Sequence, residues 1–339
     1  MMEQRSEPKV GKRKRSEEGC SQTVVQGTNN YPAKKGLVAA LEVSNTEAPA
    51  RKKRKGAAEQ PKRQTHRQRK GTKPDTFATR YIVGEKLGEG SFGSVFKGQR
   101  VSDGLQVAIK FVQKLHDDRY VESPVEFKVV PVEVALLQII SQPPICKSVI
   151  QLLEWFDEPD RYILILERPD TCKSLDSVLQ DYGGYVTEDM ARDIMWQSVM
   201  AAFRCSKRGV LHRDIKPDNL LINQDTLEVK LIDFGCGDLV EKYGYNSFEG
   251  TDEYCPPEFL LEERYHAGPA TVWSLGVLMF RMVCGYLPFA TDDGALHFRD
   301  RLSYECRNLI GWCLQHTPTR RPKLQQIQQH DWLRSNVPT

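Results

Sequence analysis

Three residues with reactive side chains lie close together between two apolar stretches. Asp214, Lys216 and Asn219 occur in the run VLHRDIKPDNLLI, residues 210–222. A carboxylate can accept the proton of a hydroxyl group, an ammonium group can neutralise a transferring phosphoryl group, and an amide oxygen can bind a metal ion. The spacing therefore predicts a phosphoryl-transfer site with Asp214 as the base, Lys216 as the cation and Asn219 as a metal ligand.

A second carboxylate, Asp233, follows nineteen residues after Asp214. It begins the triplet Asp-Phe-Gly behind the strand-like stretch 229–232, which is apolar except for Lys230. Phosphoryl transfer uses Mg²⁺, which binds phosphate and carboxylate oxygens. We therefore expect Asp233 and Asn219 to be the metal ligands.

A glycine-rich segment precedes these residues, with Gly88, Gly90 and Gly93 in the pattern GxGxxG. Glycines allow backbone N–H groups to approach phosphates where a side chain would collide. An ordinary hairpin turn can have the same pattern, and a dinucleotide site would need a helix directly afterwards. The strand-like stretch that follows argues against a dinucleotide site.

Lys110 ends the strand-like sequence Val-Ala-Ile-Lys, and Glu133 lies among apolar residues further along the chain. An unpaired buried carboxylate is costly, so a Lys110–Glu133 ion pair is predicted. Two alternatives remain open: Lys110 is a solvated strand end, or Glu133 faces water on an amphipathic helix.

The elements around these residues indicate an α+β fold. Strand-like patterns cover 81–87, 94–100, 106–112, 149–154 and 162–167, with one helix opening at Pro131. Helical periodicity dominates from Thr187 onward, as in 190–208, 272–284 and 304–314. A small β-rich half followed by a larger helical half predicts a two-lobed architecture.

Charge separates a tail from the body of the chain. The chain has 48 basic residues (Lys and Arg) and 45 acidic residues (Asp and Glu). Residues 1–75 carry 19 basic and 8 acidic residues, which leaves 29 basic and 37 acidic residues for 76–339. The tail has almost no aromatic residues, so we expect it to be disordered. Its basic runs at 12–15, 51–55 and 62–70 suggest nuclear import or a solubilising tail. Specific nucleic-acid binding is disfavoured because no aromatic residues interleave with the charges.

The nine cysteines are scattered without CxxC spacing, which disfavours a zinc ribbon or a disulfide framework. The N-terminal charges precede no apolar signal sequence, and no run approaches the roughly 18 apolar residues of a membrane span. We therefore expect no membrane association and a location in the cytoplasm and, through the tail, the nucleus. A monomer is also expected.

Taken in order, the glycine-rich segment, VAIK, HRDIKPDN and DFG resemble the signature motifs of protein kinases over residues 81–333. The resemblance implies a two-lobed protein kinase fold with 76–167 as the N-lobe and hinge, 168–333 as the C-lobe and 334–339 as a tail. ATP and Mg²⁺ are the implied cofactors, and HRDxKPxN implies serine/threonine specificity. The implied nucleotide-binding residues are Leu87, Gly88, Gly90, Gly93, Val95, Ala108, Lys110, Glu133, Leu166 and Glu167.

The resemblance also defines an activation segment, residues 233–258, which ends in CPPE where kinases have APE. Arg321 resembles the arginine that pairs with the glutamate of that motif, here Glu258. Arg213 precedes the catalytic aspartate and in many kinases needs a phosphate partner. Glu249 is predicted to supply this negative charge permanently, with phosphorylated Ser247 as the alternative.

Several segments resemble the Pim family of serine/threonine kinases, notably LILERP at 164–169, VWSLG at 272–276 and MVCG at 282–285. Thr271 occupies a position where most kinases have aspartate. Pim kinases resemble this chain in lacking that aspartate. Pro169 in the hinge has no N–H group, so adenine is expected to lose one hydrogen bond there.

The chain departs from Pim kinases where that family reads basic substrates. Arg281 and Tyr286 replace aspartates, whereas Asp218 is retained. Further acids are expected near Ser174 and Ser177, and three acids lie close to these serines: Asp170, Asp176 and Asp181. Protein substrates with a basic residue near the target are still expected, with weaker selection at distal positions.

Two other functions are alternatives to an active kinase. A kinase fold that acts only as a scaffold would have lost Lys110, Asp214 or Asp233, and all three are present. A nucleic-acid-associated protein would bind through the basic tail, and filter binding of the isolated tail and domain to DNA would separate this class.

Overall fold

A computed structural model describes residues 76–90, 93–288 and 295–334. The predicted tail, residues 1–75, the tip of the glycine-rich segment at Ser91 and Phe92, and residues 335–339 lie outside these ranges. The described residues all fall in one compact unit. Its first half contains α1 (Phe77–Arg80), β1 (Tyr81–Gly90), β2 (Gly93–Arg100), β3 (Gln106–Gln113), β4 (Tyr120–Glu122), β5 (Val129–Pro131), α2 (Val132–Ile140), β6 (Leu152–Asp157) and β7 (Arg161–Glu167).

Five of these strands form one antiparallel sheet in the order β1-β2-β3-β7-β6. Because side chains alternate along a strand, the register divides them between two faces. One face buries Val107, Ile109, Ile163 and Ile165 against Phe77 and Tyr81, which come from α1 and the start of β1. The opposite face carries the residues predicted to meet a nucleotide.

The boundaries of two predicted elements differ in the structure. The strand predicted at 149–154 lies at Leu152–Asp157, because Val149 and Ile150 pair with Leu231 of the second half instead. Pro131 is the N-cap of α2 rather than its first helical residue. The hairpin of β4 and β5 was not predicted.

The second half is mainly helical, so the predicted α+β, two-lobed architecture is confirmed. It contains β8 (Cys172–Ser174), α3 (Leu175–Asp181), α4 (Glu188–Lys207), β9 (Val210–Leu211), β10 (Leu220–Asn223), β11 (Val229–Leu231), β12 (Asp238–Leu239), α5 (Pro257–Glu262), α6 (Ala267–Cys284), α7 (Tyr304–Cys313), α8 (Leu324–Gln328) and α9 (Asp331–Arg334). Short 3-10 turns occur at Pro217–Asn219, Asp252–Tyr254 and Pro318–Arg320.

Helix α6 is the centre of this half. Of the described helices it alone is long and apolar enough to cross a membrane by composition, and 78 % of it is buried within the protein. A methyl group on its Gly276 would lie 2.8 Å from Cβ of Cys313, so glycine permits the close approach of α7. Cysteines contribute to this core: Cys205, Cys284, Cys306 and Cys313 are all buried.

Candidate active site

Lys110 joins three segments that are distant in the sequence. It lies on β3 opposite Leu164 of β7, and its Nζ atom donates hydrogen bonds to Oε1 of Glu133 at 2.5 Å and Oδ1 of Asp233 at 2.8 Å. The predicted Lys110–Glu133 pair is confirmed, and the solvated alternatives for both residues are wrong because both are buried.

Burial and charge act in opposite directions on this cluster. Burial alone would lower the pKa of Lys110, but the carboxylates of Glu133 and Asp233 outweigh it and raise the pKa above its usual value. Burial likewise favours neutral Asp233, yet Lys110 holds the pKa of this carboxyl below its ordinary value. Lys110 therefore stays an ammonium and Asp233 a carboxylate. The pKa of Glu133 is raised, chiefly by burial.

Asp214 is buried and held by three neighbours in the catalytic loop and activation segment. The amide of Asn219 donates to its backbone oxygen and to Oδ2, both at 2.8 Å. Thr251 donates its hydroxyl to Oδ1 at 2.6 Å and its N–H to the same atom at 3.1 Å. Lys216 lies 3.1 Å from Oδ2 and also donates to the Thr251 hydroxyl. The three residues predicted from 210–222 are thus together, and Thr251 is a contact that the sequence analysis missed.

His212 fixes the backbone before Asp214. Its Nε2 atom lies 2.9 Å from the carbonyl oxygen of Ile232, and its Nδ1 atom accepts the N–H of Asp214 at 3.3 Å. The ring also contacts Phe234 edge-on, with 4.7 Å between centroids. One donor and one acceptor suit a neutral imidazole with the proton on Nε2. Burial lowers the pKa of His212, in agreement with that form.

The inner face of the sheet forms one wall beside these charged groups. Val95 pairs with Lys110, Ala108 pairs with Leu166, and Gly88 pairs with Val95, so all share one face. Ala108 and Leu166 are half-buried and Leu87 is exposed at 48 %. Gly88, Val95, Ala108 and Leu166 therefore line one accessible apolar surface next to Lys110.

The glycines differ in what their backbone requires. A methyl group on Gly88 or Gly90 would meet no described atom within 4 Å, so the space in front of them is open to a ligand. Gly93 has a φ of +137°, and a methyl group there would lie 2.1 Å from the carbonyl oxygen of Phe111. The fold itself therefore requires glycine at 93, whereas no described atom requires it at 88 or 90, and the predicted contact of Gly88 and Gly90 with phosphate stays a prediction.

The hinge residue Glu167 is anchored on both sides. Its N–H donates to the carbonyl oxygen of Gln151 at 3.0 Å, and its carboxylate accepts Nζ of Lys230 at 2.7 Å. Gln151 in turn donates its N–H to that carboxylate at 3.1 Å. Glu167 is thereby held by Gln151 and, through the side chain of Lys230, by β11. The predicted use of the Glu167 carbonyl by adenine stays a prediction.

The described residues fit a divalent cation held between Asn219 and Asp233. The side-chain amide of Asn219 donates two hydrogen bonds to Asp214, which leaves the side-chain oxygen of Asn219 as a ligand. Asp233 accepts hydrogen bonds from Lys110 and from the N–H of Gly235, both through Oδ1. Among the described residues no group of three His, Cys, Asp or Glu side chains could hold a metal alone. A cation here would take its remaining ligands from phosphate and water, as Mg²⁺ commonly does.

Arg213 has a different partner from the one predicted. Glu249 is exposed, and the carboxylate that accepts Nη2 of Arg213 belongs to Asp238. The predicted Arg213–Glu249 pair is therefore wrong. The sequence does not single out Asp238, because this residue lies in a two-residue strand with no periodic pattern.

Comparison with known proteins agrees with this geometry. The family model described as "Protein kinase domain" matches residues 81–333. The chain is therefore a member of the protein kinase family, whose members use ATP and Mg²⁺.

Within that family the similarity is to serine/threonine kinases of the Pim type. The chain is 41 % identical to "Serine/threonine-protein kinase pim-2" of Danio rerio over 266 residues, covering 76 % of this chain and 86 % of the relative. It is 34 % identical to "Serine/threonine-protein kinase prk-2" of Caenorhabditis elegans over 77 % of this chain and 60 % of the relative. A "Probable serine/threonine-protein kinase MARK-A" of Dictyostelium discoideum is 32 % identical over 75 % of this chain and 24 % of the relative.

Proposed function

We propose that this serine/threonine protein kinase is catalytically active and that the residues described above have the roles their geometry suits. The observation that carries the proposal is the contact of Lys110 with both Glu133, at 2.5 Å, and Asp233, at 2.8 Å. These bonds bring β3, α2 and the start of the activation segment into one charged site, which a scaffold would not need.

In the proposed reaction Asp214 accepts the proton of a serine or threonine hydroxyl. The hydroxyl oxygen forms a bond to the γ-phosphorus of ATP, and the bond from that phosphorus to the β,γ-bridging oxygen breaks, which releases ADP. Lys216 stabilises the transferring group, and Lys110 binds the α- and β-phosphates. Asn219 and Asp233 would hold Mg²⁺, which would supply charge neutralisation at the phosphate oxygens.

The test is phosphoryl transfer from ATP to a peptide by the full chain carrying Asp214→Asn or Asp233→Asn. Loss of a positioned base lowers turnover by about 10²–10⁴-fold, and loss of a metal ligand should be at least as severe. Asp225→Asn, in the exposed turn between β10 and β11, is the matched control and should keep wild-type turnover. Wild-type turnover in both site variants would contradict the proposal.

For substrates, the proposal is a protein segment with Arg or Lys close to the target residue. Burial raises the pKa of the Tyr254 phenol. The charges of Arg281, Asp218 and Asp176 also affect this pKa, so these three side chains lie near Tyr254. The two carboxylates favour a basic substrate residue there and Arg281 opposes it. A degenerate peptide library phosphorylated by the full chain would measure the balance.

For localisation, we propose the cytoplasm and the nucleus, with residues 51–55 as the import signal. The support is the run Arg-Lys-Lys-Arg-Lys in a tail that carries 19 basic against 8 acidic residues. Replacing 51–55 by alanine should reduce the nuclear fraction in cells without changing peptide phosphorylation. An unchanged distribution would leave the tail a solubilising segment.

A further inference from the structure

Asp238 is a buried carboxylate that binds two arginines. The side chain of Asp238 is 4 % exposed. Arg119 donates two hydrogen bonds to it, from Nη1 to Oδ2 at 2.7 Å and from Nη2 to Oδ1 at 3.1 Å. Arg213 donates one from Nη2 to Oδ2. The N–H of Leu239 adds a bond to Oδ1 at 2.9 Å. Four N–H donors from three residues therefore fix the orientation of this carboxylate.

The two arginines come from different functional parts of the fold. Arg213 directly precedes Asp214, and its guanidinium is also buried. Arg119 precedes α2, and its carbonyl oxygen accepts the N–H of Val132, the first residue of that helix, at 3.0 Å. The next residue, Glu133, holds Lys110. Asp238 therefore connects the catalytic loop to the start of the helix that positions the phosphate-binding lysine.

The backbone places Asp238 between these parts. Asp238 pairs with Leu211 in the two-stranded sheet of β12 and β9. A methyl group on the preceding Gly237 would lie 2.6 Å from Cδ1 of Leu136, so glycine lets this strand pack directly against α2. The position of the carboxylate is thus set by contacts with both neighbours.

Arg213 is enclosed by the activation segment on another side. Its guanidinium carbon lies 4.6 Å from the ring centroid of Tyr245, whose hydroxyl donates to the carbonyl oxygen of Leu239 at 2.6 Å. Tyr245 stacks on Tyr265 with 5.2 Å between centroids. The charge of the buried Arg213 is therefore balanced by a carboxylate of the chain itself, while that of Arg119, whose side chain is 56 % exposed, is screened by water.

In many kinases the activation segment is ordered when a phosphate on it binds arginine side chains. We propose that Asp238 is a positioning residue that takes the place of this phosphate, so that the catalytic loop and α2 are held in the unphosphorylated chain. The inference rests on the proposed phosphoryl transfer and adds how its geometry is maintained.

The experiment compares kcat and KM of the full chain, purified from bacteria and treated with phosphatase until mass spectrometry detects no phosphate. The wild type should keep its turnover after this treatment. Asp238→Asn should lower kcat by about tenfold or more, because a charge-assisted contact to both arginines is lost. Asp238→Glu should recover most of this loss. Glu249→Gln removes an exposed charge of the same segment and should leave kcat unchanged.

A second variant separates positioning from stability. Arg119→Gln keeps the buried Arg213–Asp238 pair and removes only the link to α2, so its thermal midpoint should stay close to that of the wild type. Its kcat should nevertheless fall by about threefold, and amide hydrogen exchange in residues 132–140 should become faster.

Three results would overturn the inference. One is an Asp238→Asn protein that melts earlier but keeps wild-type kcat below its melting range, since Asp238 would then only stabilise the fold. Another is loss of wild-type activity after dephosphorylation. The third is unchanged kcat and exchange in Arg119→Gln. Absence of transfer by every form, wild type included, would overturn the proposed function as well.

Discussion

Arg321 and Glu258 form a buried bidentate ion pair, with Nη1 to Oε1 at 2.8 Å and Nη2 to Oε2 at 2.6 Å. The predicted partnership of these residues is confirmed. The guanidinium also lies 4.8 Å from the ring centroid of Trp273 and donates through Nε to the carbonyl oxygen of Gln315 at 2.8 Å. The pair attaches the end of the activation segment to the last helices.

Arg321→Met should destabilise the chain by about 3–5 kcal/mol, because it leaves the Glu258 carboxylate buried without its cation. Urea unfolding followed by tryptophan fluorescence would measure the loss. The neighbouring Arg320 is exposed, so Arg320→Met is the matched control and should unfold like the wild type. Equal unfolding midpoints for the two variants would contradict the prediction.

Pro169→Ala should strengthen ATP binding. The substitution supplies the hinge N–H that proline lacks, and one net hydrogen bond of about 0.5–1.5 kcal/mol corresponds to about 2- to 12-fold in Kd. Calorimetric titration with a non-hydrolysable ATP analogue gives the Kd directly. Pro159→Ala, in the exposed turn between β6 and β7, controls for the added backbone freedom. Identical Kd values in the two variants would exclude a hinge N–H contact.

His212 should make the fold sensitive to acid. Burial lowers its pKa, assisted by Lys110, while Asp214 and Asp233 act in the opposite direction. In the unfolded chain its pKa is about 6.5. As the pH falls below that value, the unfolded chain binds a proton that the folded chain does not. The free energy of unfolding should therefore fall by up to about 1.4 kcal/mol per pH unit until the folded pKa is reached.

His212→Gln should remove this contribution, whereas His116→Gln, in an exposed loop, should not. Urea unfolding between about pH 7.5 and 5.5 would give the slopes. Parallel slopes for the wild type and His212→Gln would show that the histidine takes up its proton in the folded state too.

Arg281→Asp should restore selection for a distal basic residue in substrates. Arg281 donates to the carbonyl oxygen of Gly184 at 2.7 Å, at the C-terminal end of α6 and near the carboxylates that surround Tyr254. An exposed carboxylate–arginine contact contributes about 0.2–1 kcal/mol, so selection should rise by about 1.4- to 5-fold and decline again at high salt.

Peptide-library phosphorylation would show the change in selection. Arg307→Asp makes the same charge change at an exposed position of α7 and serves as the control. Strong distal selection in the wild type, or the same profile in Arg281→Asp, would refute the proposed role of Arg281.

Residues in long elements and fixed motifs were predictable from the sequence. Lys110 and Glu133 could be paired in advance because a carboxylate among apolar residues of a helix needs a cation. The helices α4 and α6 were found from their periodicity, although each begins a few residues earlier than predicted because their N-terminal turns are more polar or contain glycine and proline.

Contacts set by tertiary structure were not predictable. Val149 and Ile150 read as the start of a strand, but they pair with Leu231, some eighty residues away in the sequence. The sequence predicts a partner for Arg213 among the charges of the central activation segment. The observed partner is Asp238, whose position depends on the pairing of two-residue strands and on the packing of Gly237 against α2. Local pattern contains no signal for either arrangement.

The buried cysteines have a practical consequence. Six of the eight described cysteines are buried, and burial raises the pKa of Cys205, Cys236 and Cys313 to about 12. Only a thiolate reacts readily with an alkylating reagent, so these groups are protected in the native state. The native thiols can thus report local opening of the surrounding core, because the rate at which each becomes alkylated measures how often it is exposed. No cysteine has to be introduced for this measurement.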